Sequence, residues 1–403
     1  MKMKNLSENI KKMKPSGIRK VNEKASKLEK SGKRIFHFEL GRPDFDTPDF
    51  IKEACITALQ KGDVYYTSNY GHKELRNIIS NKLQKENNLI YDADEILVTT
   101  GVSEAVWDVL CTILDPQDEI LIPNPGWINY WNISSWLQAK PVYYTLKEED
   151  NYQIQINELE RFITPKTKAL VLINPHNPTG SIISKETMEK LTLLVQKYDL
   201  FVLSDEIYEQ IVYDNKPVKS IASMPGMKER TFVLNGFSKA YSMTGWRIGY
   251  VAAPASYIKE INKVHQHNTT CASSFIQDAS IDALKHGKEA IAQMVKEYQR
   301  RRDFVVKEIN SISHIHCFLP QGAFYTFINI KETGYSSQYI ADALLEKEGV
   351  ATVPGNVFGP AGEGYIRLSF AASQNELQEG IRHMKDFFEN LKKEGLHHEI
   401  SNY

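Results

Sequence analysis

The chain has 403 residues, the length of one large or two ordinary domains, and its 42% apolar content is enough for a sizeable core. A formal net charge of -1 supplies no basic surface in bulk, which argues against nucleic acid as a partner. No apolar run reaches the roughly 18 residues of a membrane helix, and four scattered cysteines (Cys55, Cys111, Cys271, Cys317) without a C-x-x-C pair read as reduced thiols of a cytoplasmic protein.

The N-terminal MKMKNLSENIKKMKPSG is basic but lacks an apolar h-region, so it reads as a mobile or domain-edge segment and not as a secretion signal. From about residue 48 to 290 two textures alternate. Ile51, Ala54, Cys55, Ala58 and Leu59 recur at helical spacing between a Thr47-Pro48 start and a Lys61-Gly62 stop. The short apolar runs ILVTT (96–100), EILIP (119–123), ALVLIN (169–174), LFVLSDE (200–206) and TFVLNG (231–236) read as buried strands. Strands of this kind separated by helices imply a mainly parallel α/β sheet covered on both faces. After a long charged helix (about 286–310), strands FYTFINI (324–330), VATVP (350–354) and YIRLSFA (365–371) mix with a helix near 336–347 without strict alternation, as in a smaller α+β domain. The expected division is 48–290 for the large domain, with 1–47 and 291–403 forming the small one.

Ligands of open parallel sheets sit beyond the carboxyl ends of the strands, and four features fall there. TTGVSEAVWDVLCTIL (99–114) runs from a strand through Gly101 into a helix whose free N–H groups and dipole suit a phosphate, with Ser103 at its mouth. NPHNPTG (174–180) places Asn174 and Asn177 at a strand end, although alone it is only a proline-braced turn. Asp205 and Glu206 end a buried run, where a carboxylate needs a partner: either a helix cap or ion pair, or a buried cationic ring nitrogen. SKAYSMTGWRIG (238–249) gathers Ser238, Lys239 and Arg247 in one loop, a set suited to an anionic, carbonyl-bearing ligand.

In this order, and together with LGRPDFDTP (40–48), YYTSNYGHKELR (65–76), PNPGW (123–127) and YIRLSF (365–370), the motifs resemble those of class I/II aminotransferases of the pyridoxal-phosphate (PLP) dependent aspartate-aminotransferase fold. The resemblance runs from PSGIR (15–19) to YIRLSF, nearly the whole chain. It implies a large PLP-binding domain with a seven-stranded sheet and a homodimer with shared sites. It further implies that Lys239 holds the cofactor covalently, that Asp205 pairs with the ring nitrogen, and that Tyr208 and Asn177 bond the ring's phenolic oxygen. Ser238, Arg247 and the turn Gly101-Val102-Ser103 match the phosphate cradle, Trp127 the aromatic stacked on the ring, and Tyr66 a tyrosine reaching the neighbouring subunit's phosphate. Arg367 matches the arginine that clamps the substrate's α-carboxylate, assisted by Asn177 and the backbone at Gly41. Read as a strand, YIRLSF puts Arg367 on one face with Tyr365 and Ser369, and Ile366, Leu368 and Phe370 on the other.

The activity implied is ping-pong transfer of an amino group between an L-amino acid and a 2-oxo acid, with Lys239 moving the α-proton. A C–S β-lyase on the same fold is the alternative, since cofactor residues do not separate the two. A PLP-sensing regulator would need an N-terminal DNA-binding module, and only about 35 residues precede LGRPDF. No metal is expected: His265/His267 and His314/His316 are H-x-H pairs with no matching carboxylate or cysteine set in the sequence. RRR (300–302) reads as a solvated helix face. Some aspartate-specific relatives carry lysine where this chain has Ser103. With Ile18, Tyr70, Trp127 and Phe358 in segments bordering the substrate, an aromatic or apolar amino acid is the expected substrate.

Overall fold

A strand buried on both faces reads as an uninterrupted apolar run, and the runs above assemble into one sheet. In the computed structural model, which describes residues 15–400 together with Ser7, Ile10 and Met13, and side chains through Leu391, the strands in chain order begin with the two-residue β1 (Phe36–His37). They continue with β2 (Ile96–Thr99), β3 (Glu119–Asn124), β4 (Lys140–Thr145), β5 (Thr167–Ile173), β6 (Phe201–Asp205), β7 (Thr231–Gly236) and β8 (Gly249–Ala252). Strands β2 to β8 form a seven-stranded sheet in the order β2-β8-β7-β6-β5-β3-β4. Its strands from β7 to β4 are parallel, and β8 runs antiparallel to both β7 and β2. The carboxyl ends of β2, β5, β6 and β7 therefore open on one edge, and the residues just beyond them share a crevice.

Helices cover both faces. Asp49–Gln60 buries Ile51 and Ala58 and half-buries Ala54 and Cys55, as the periodicity requires, while Leu59 at its end is exposed. Val102–Ile113 starts at Gly101, whose φ of 84° lies in the region open to glycine. Ser184 caps Lys185–Lys197, its hydroxyl accepting the Thr187 N–H at 3.1 Å, a contact worth about 1 kcal/mol.

The remaining strands are β9 (His316–Cys317), β10 (Tyr325–Asn329), β11 (Val350–Ala351), β12 (Val353–Pro354) and β13 (Tyr365–Ser369). Four of them make an antiparallel sheet in the order β12-β13-β10-β9, and β1 pairs in parallel with β11. In the β10–β13 register Phe327 faces Arg367 and Tyr325 faces Ser369. One face of this sheet thus carries Tyr325, Phe327, Tyr365 and Arg367, with Phe327 stacked on Tyr365 at 4.7 Å. Ile366, Leu368 and Phe370 point the other way into the main core, each worth about 1.5–3 kcal/mol of burial.

One surface expectation is overturned. Of the three arginines 300–302, only Arg300 lies on an open face. Arg301 is buried against Asp44 and Glu297, and Arg302 against Asp214 and Asp303, because the helix Lys288–Ile309 turns that side toward the chain. Among the described residues no helix is long and apolar enough to cross a membrane.

Candidate active site

The crevice at the strand ends holds a cavity of about 230 Å³. It is lined by twelve of the residues singled out from the sequence: Ile18, Gly41, Val102, Ser103, Trp127, Asn177, Asp205, Tyr208, Ser238, Lys239, Arg247 and Arg367. A larger groove of about 1250 Å³ runs past Lys20, Trp131 and Tyr143, but it contains none of the strand-end residues.

Lys239 leaves the end of β7 with its Nζ 2.6 Å from the Gly41 carbonyl, to which it donates. A Cβ on residue 41 would stand 2.6 Å from the Tyr325 hydroxyl, so only glycine lets this backbone come so close. Burial, then the positive charges of Arg367 and Arg247, push the Lys239 pKa down to about 8, against the pull of Asp205. At the end of β6, burial raises Asp205 to about 6 although its oxygens accept the Tyr130 hydroxyl at 2.9 Å and the Ile207 N–H at 3.3 Å. An amine eased toward its neutral form thus shares the pocket with a carboxylate held above its ordinary range.

The anion side is the turn Thr100-Gly101-Val102-Ser103. The Arg247 Nη2 donates to the Thr100 carbonyl at 3.3 Å and Nη1 to the Thr244 carbonyl at 3.1 Å. Arg247 itself has φ 55°, uncommon for a residue with a side chain, and this conformation brings its fork back over the turn. A Cβ on Gly101 would meet that fork at 2.5 Å. A cation thus stands over the N-terminus of a helix whose first N–H groups lack intrahelical partners.

Arg367 is 1% exposed. Its Nη1 donates to Asn177 Oδ1 at 3.2 Å and its Nη2 to the Glu39 carbonyl at 2.6 Å. The guanidinium lies over the rings of Tyr325 (4.3 Å) and Phe358 (4.9 Å), and its buried Nε has no partner among the described residues. Burial lowers its pKa from the usual arginine value. A rigid, buried, partly unsatisfied fork is a receptor for a planar anion.

Four expected residues lie outside the cavity, Gly101 among them, set against the Arg247 fork. Phe358 is behind Arg367, Tyr70 stands beside Arg76, and Tyr66 is 87% exposed on the chain's surface. Sequence reasoning missed Tyr325, Tyr130, Ile173, Ile207 and Thr244. Tyr325 lines the cavity and its hydroxyl is 2.7 Å from that of Tyr208; the signal was available in the alternation of FYTFINI, which puts Tyr325 on Arg367's face. The H-x-H reading also needs correction. His265 is a buried core histidine on a helix, but two carboxylates do accompany it in space: Glu104 and Asp108, brought from another helix, with ligand atoms of all three within 4.8 Å of one another.

A family model described as aminotransferase class I and II matches residues 33–384. The chain is 39% identical over 392 residues to "Aromatic-amino-acid aminotransferase 2" of Thermococcus litoralis, covering 96% of this chain and 99% of the relative. It is 40% identical over 390 residues to "Aspartate aminotransferase" of Pyrococcus abyssi, covering 96% and 99%. The solved aromatic aminotransferase of Pyrococcus horikoshii OT3 superposes with a TM-score of 0.87 at 40% identity, covering 91% of this chain and 99% of that one.

Proposed function

The chain belongs to the class I and II aminotransferases and is a PLP-dependent transaminase, and from that premise we propose that its amino-acid substrate carries an aromatic or apolar side chain. The observation that carries this reading is the count of cations. Among the described residues lining the cavity only Lys239, Arg247 and Arg367 are cationic. Their roles are the cofactor's carbonyl carbon, its phosphate and the substrate's α-carboxylate, which leaves none from this chain for a second carboxylate. Ile18, Trp127 and Tyr325 supply apolar and aromatic surface instead. The relatives do not decide the matter, since aspartate and aromatic amino acids both appear in their names at matching identity. A panel of kcat/KM values tests the reading: phenylalanine is expected to exceed aspartate by tenfold or more, and a preference for aspartate refutes it. A lyase outcome is not favoured, because the relatives carry aminotransferase names.

The residues fit the cofactor. Bound PLP supplies an electron sink for charge developing at the substrate's α-carbon. Asp205, whose pKa burial raises, would hold the ring nitrogen's proton, and pairing with that cation would bring its pKa back down. Tyr208 and Asn177 would donate to the phenolic oxygen, and Trp127 would cover the ring. Ser103, Ser238, Arg247 and the N–H groups after Gly101 would hold the phosphate. Arg367, with its open Nε, orients the substrate carboxylate and so points the α-hydrogen toward Lys239. The Lys239 amine, eased toward its neutral form by burial and two nearby guanidinium groups, takes that proton as general base.

We place the working form as a homodimer in a reducing, cytoplasmic setting. Supporting this are the uncovered aromatic pair Tyr65 and Tyr66, 79% and 87% exposed, and the four free cysteines. Tyr66 would reach the phosphate of the partner chain's cofactor. The division into residues 48–290 and 1–47 with 291–403 is supported by the separation of the sheets, the seven-stranded one lying wholly in the first part.

A further inference from the structure

Behind the phosphate turn, on the side away from the cavity, lies a buried charge cluster that the reaction does not touch. Glu104 and Asp108 stand one helical turn apart on Val102–Ile113 and face His265 of the helix Ala255–Asn268. His265 Nδ1 is 3.1 Å from Glu104 Oε1 and 3.4 Å from Asp108 Oδ2, and all three side chains are buried. The other Glu104 oxygen, Oε2, accepts the backbone N–H of Thr100. The carbonyl of Thr100 accepts Arg247 Nη2 at 3.3 Å. The residue that opens the phosphate turn is therefore held on both sides, by Glu104 behind and by Arg247 in front.

Charge gives this arrangement a second consequence. A carboxylate in the first turn of a helix draws on the same positive end that a phosphate would use. Glu104 is within that first turn. Without a counter-ion of its own, its negative charge would repel a dianion bound at the adjacent N–H groups, and burial would strengthen the repulsion. His265 is the counter-ion the fold provides, shared between Glu104 and Asp108, whose carboxyl burial pushes toward its neutral form. Burial pulls the histidine's pKa down, but contact with Asp108 and Glu104 outweighs that and raises it to about 9.

We propose that His265 is a positioning residue for the cofactor's phosphate, neutralising Glu104 and locking it onto Thr100 so that the turn offers its N–H groups and Arg247 to a dianion. The proposal rests on the assignment of this turn as the phosphate cradle. Its distinguishing property is that it acts on the phosphate alone and not on the ring.

The test is binding of PLP and of pyridoxal, which lacks the phosphate, to the apo form of the full-length enzyme, followed by absorbance and by equilibrium dialysis. H265Q keeps a donor for Glu104 but removes the charge, and its dissociation constant for PLP is expected to rise about five- to tenfold, the scale of one charge at a helix end. Its affinity for pyridoxal should stay at the wild-type value. E104Q/H265Q, in which no Glu104 charge remains to be neutralised, should recover PLP binding to within about twofold. E104A, which strips the acceptor from Thr100, should weaken PLP selectively and serves if H265Q does not fold. Equal losses for PLP and pyridoxal in these variants, no loss for either, or failure of the double variant to recover PLP binding would overturn the proposal. Wild-type apoenzyme that binds pyridoxal as tightly as PLP would overturn the cradle assignment and the proposal with it.

Discussion

Replacing Arg367 by lysine keeps the positive charge and removes the fork, which isolates what the geometry contributes. In the structure the guanidinium spends Nη1 on Asn177 and Nη2 on the Glu39 carbonyl, is packed between Tyr325 and Phe358, and leaves Nε open. A lysine ammonium is a point charge with no second parallel donor for a carboxylate, and it cannot stack as a plane. One charge-assisted hydrogen bond to the substrate is lost, about 1.5–3 kcal/mol, and a buried carbonyl at Glu39 loses its donor at a cost of about 1–3 kcal/mol. The first loss occurs only with substrate bound and gives about 10- to 150-fold in kcat/KM for the amino-acid half-reaction, whereas the second weighs on free and bound enzyme alike and reads as lost stability. Single-turnover absorbance with phenylalanine reads the effect. 2-Phenylethylamine, which has no carboxylate, serves as control and should lose less than about threefold. If R367K slows the amine as much as the amino acid, Arg367 is not the carboxylate clamp and its burial has another purpose.

Three further outcomes are expected. Lys239→Ala should abolish both the cofactor's visible absorbance as an attached chromophore and transamination, measured on protein dialysed against PLP. The folded apoenzyme holds Lys239 at about 8 against its ordinary 10.5, so between those values the unfolded chain binds more protons and stability rises with pH. Denaturant unfolding of the apo form at pH 8 and pH 10 should show that gain in wild type and a smaller one in K239M. Gly101→Ala places a methyl at 2.5 Å from the Arg247 fork in a backbone of φ 84°, and should raise the PLP dissociation constant by at least tenfold while leaving soluble, folded protein.

The residues legible in the sequence share one property: their position along the chain fixes their position in space. A residue just beyond a buried parallel strand must lie on the ligand-binding edge, so Asn177, Asp205 and Lys239 follow from reading ALVLIN, LFVLSDE and TFVLNG as strands. Arg367 follows from the two-residue alternation of YIRLSF, borne out by Ile366, Leu368 and Phe370 in the core. What stayed hidden are pairings between distant elements. The Tyr208–Tyr325 contact joins residues 117 apart, the Tyr130–Asp205 bond residues 75 apart, and the His265–Glu104 contact residues 161 apart. No local period reports such meetings, because they depend on which helix and strand faces meet. The same limit explains Arg301 and Arg302, whose ion-pair partners Asp44 and Asp214 lie in remote loops, and Phe358, which borders the substrate segment yet stacks behind Arg367.

The central claim is that the strand-end cavity carries out transamination on an amino acid with an apolar or aromatic side chain. The visible spectrum of the purified protein, recorded before and after adding single L-amino acids without an acceptor, tests it most directly. Loss of the cofactor's visible band with phenylalanine, stoichiometric formation of pyridoxamine phosphate and the matching 2-oxo acid, and a weaker response to aspartate is the predicted result. A band that survives every amino acid, with pyruvate and ammonia released only from a sulfur-containing one, would contradict it.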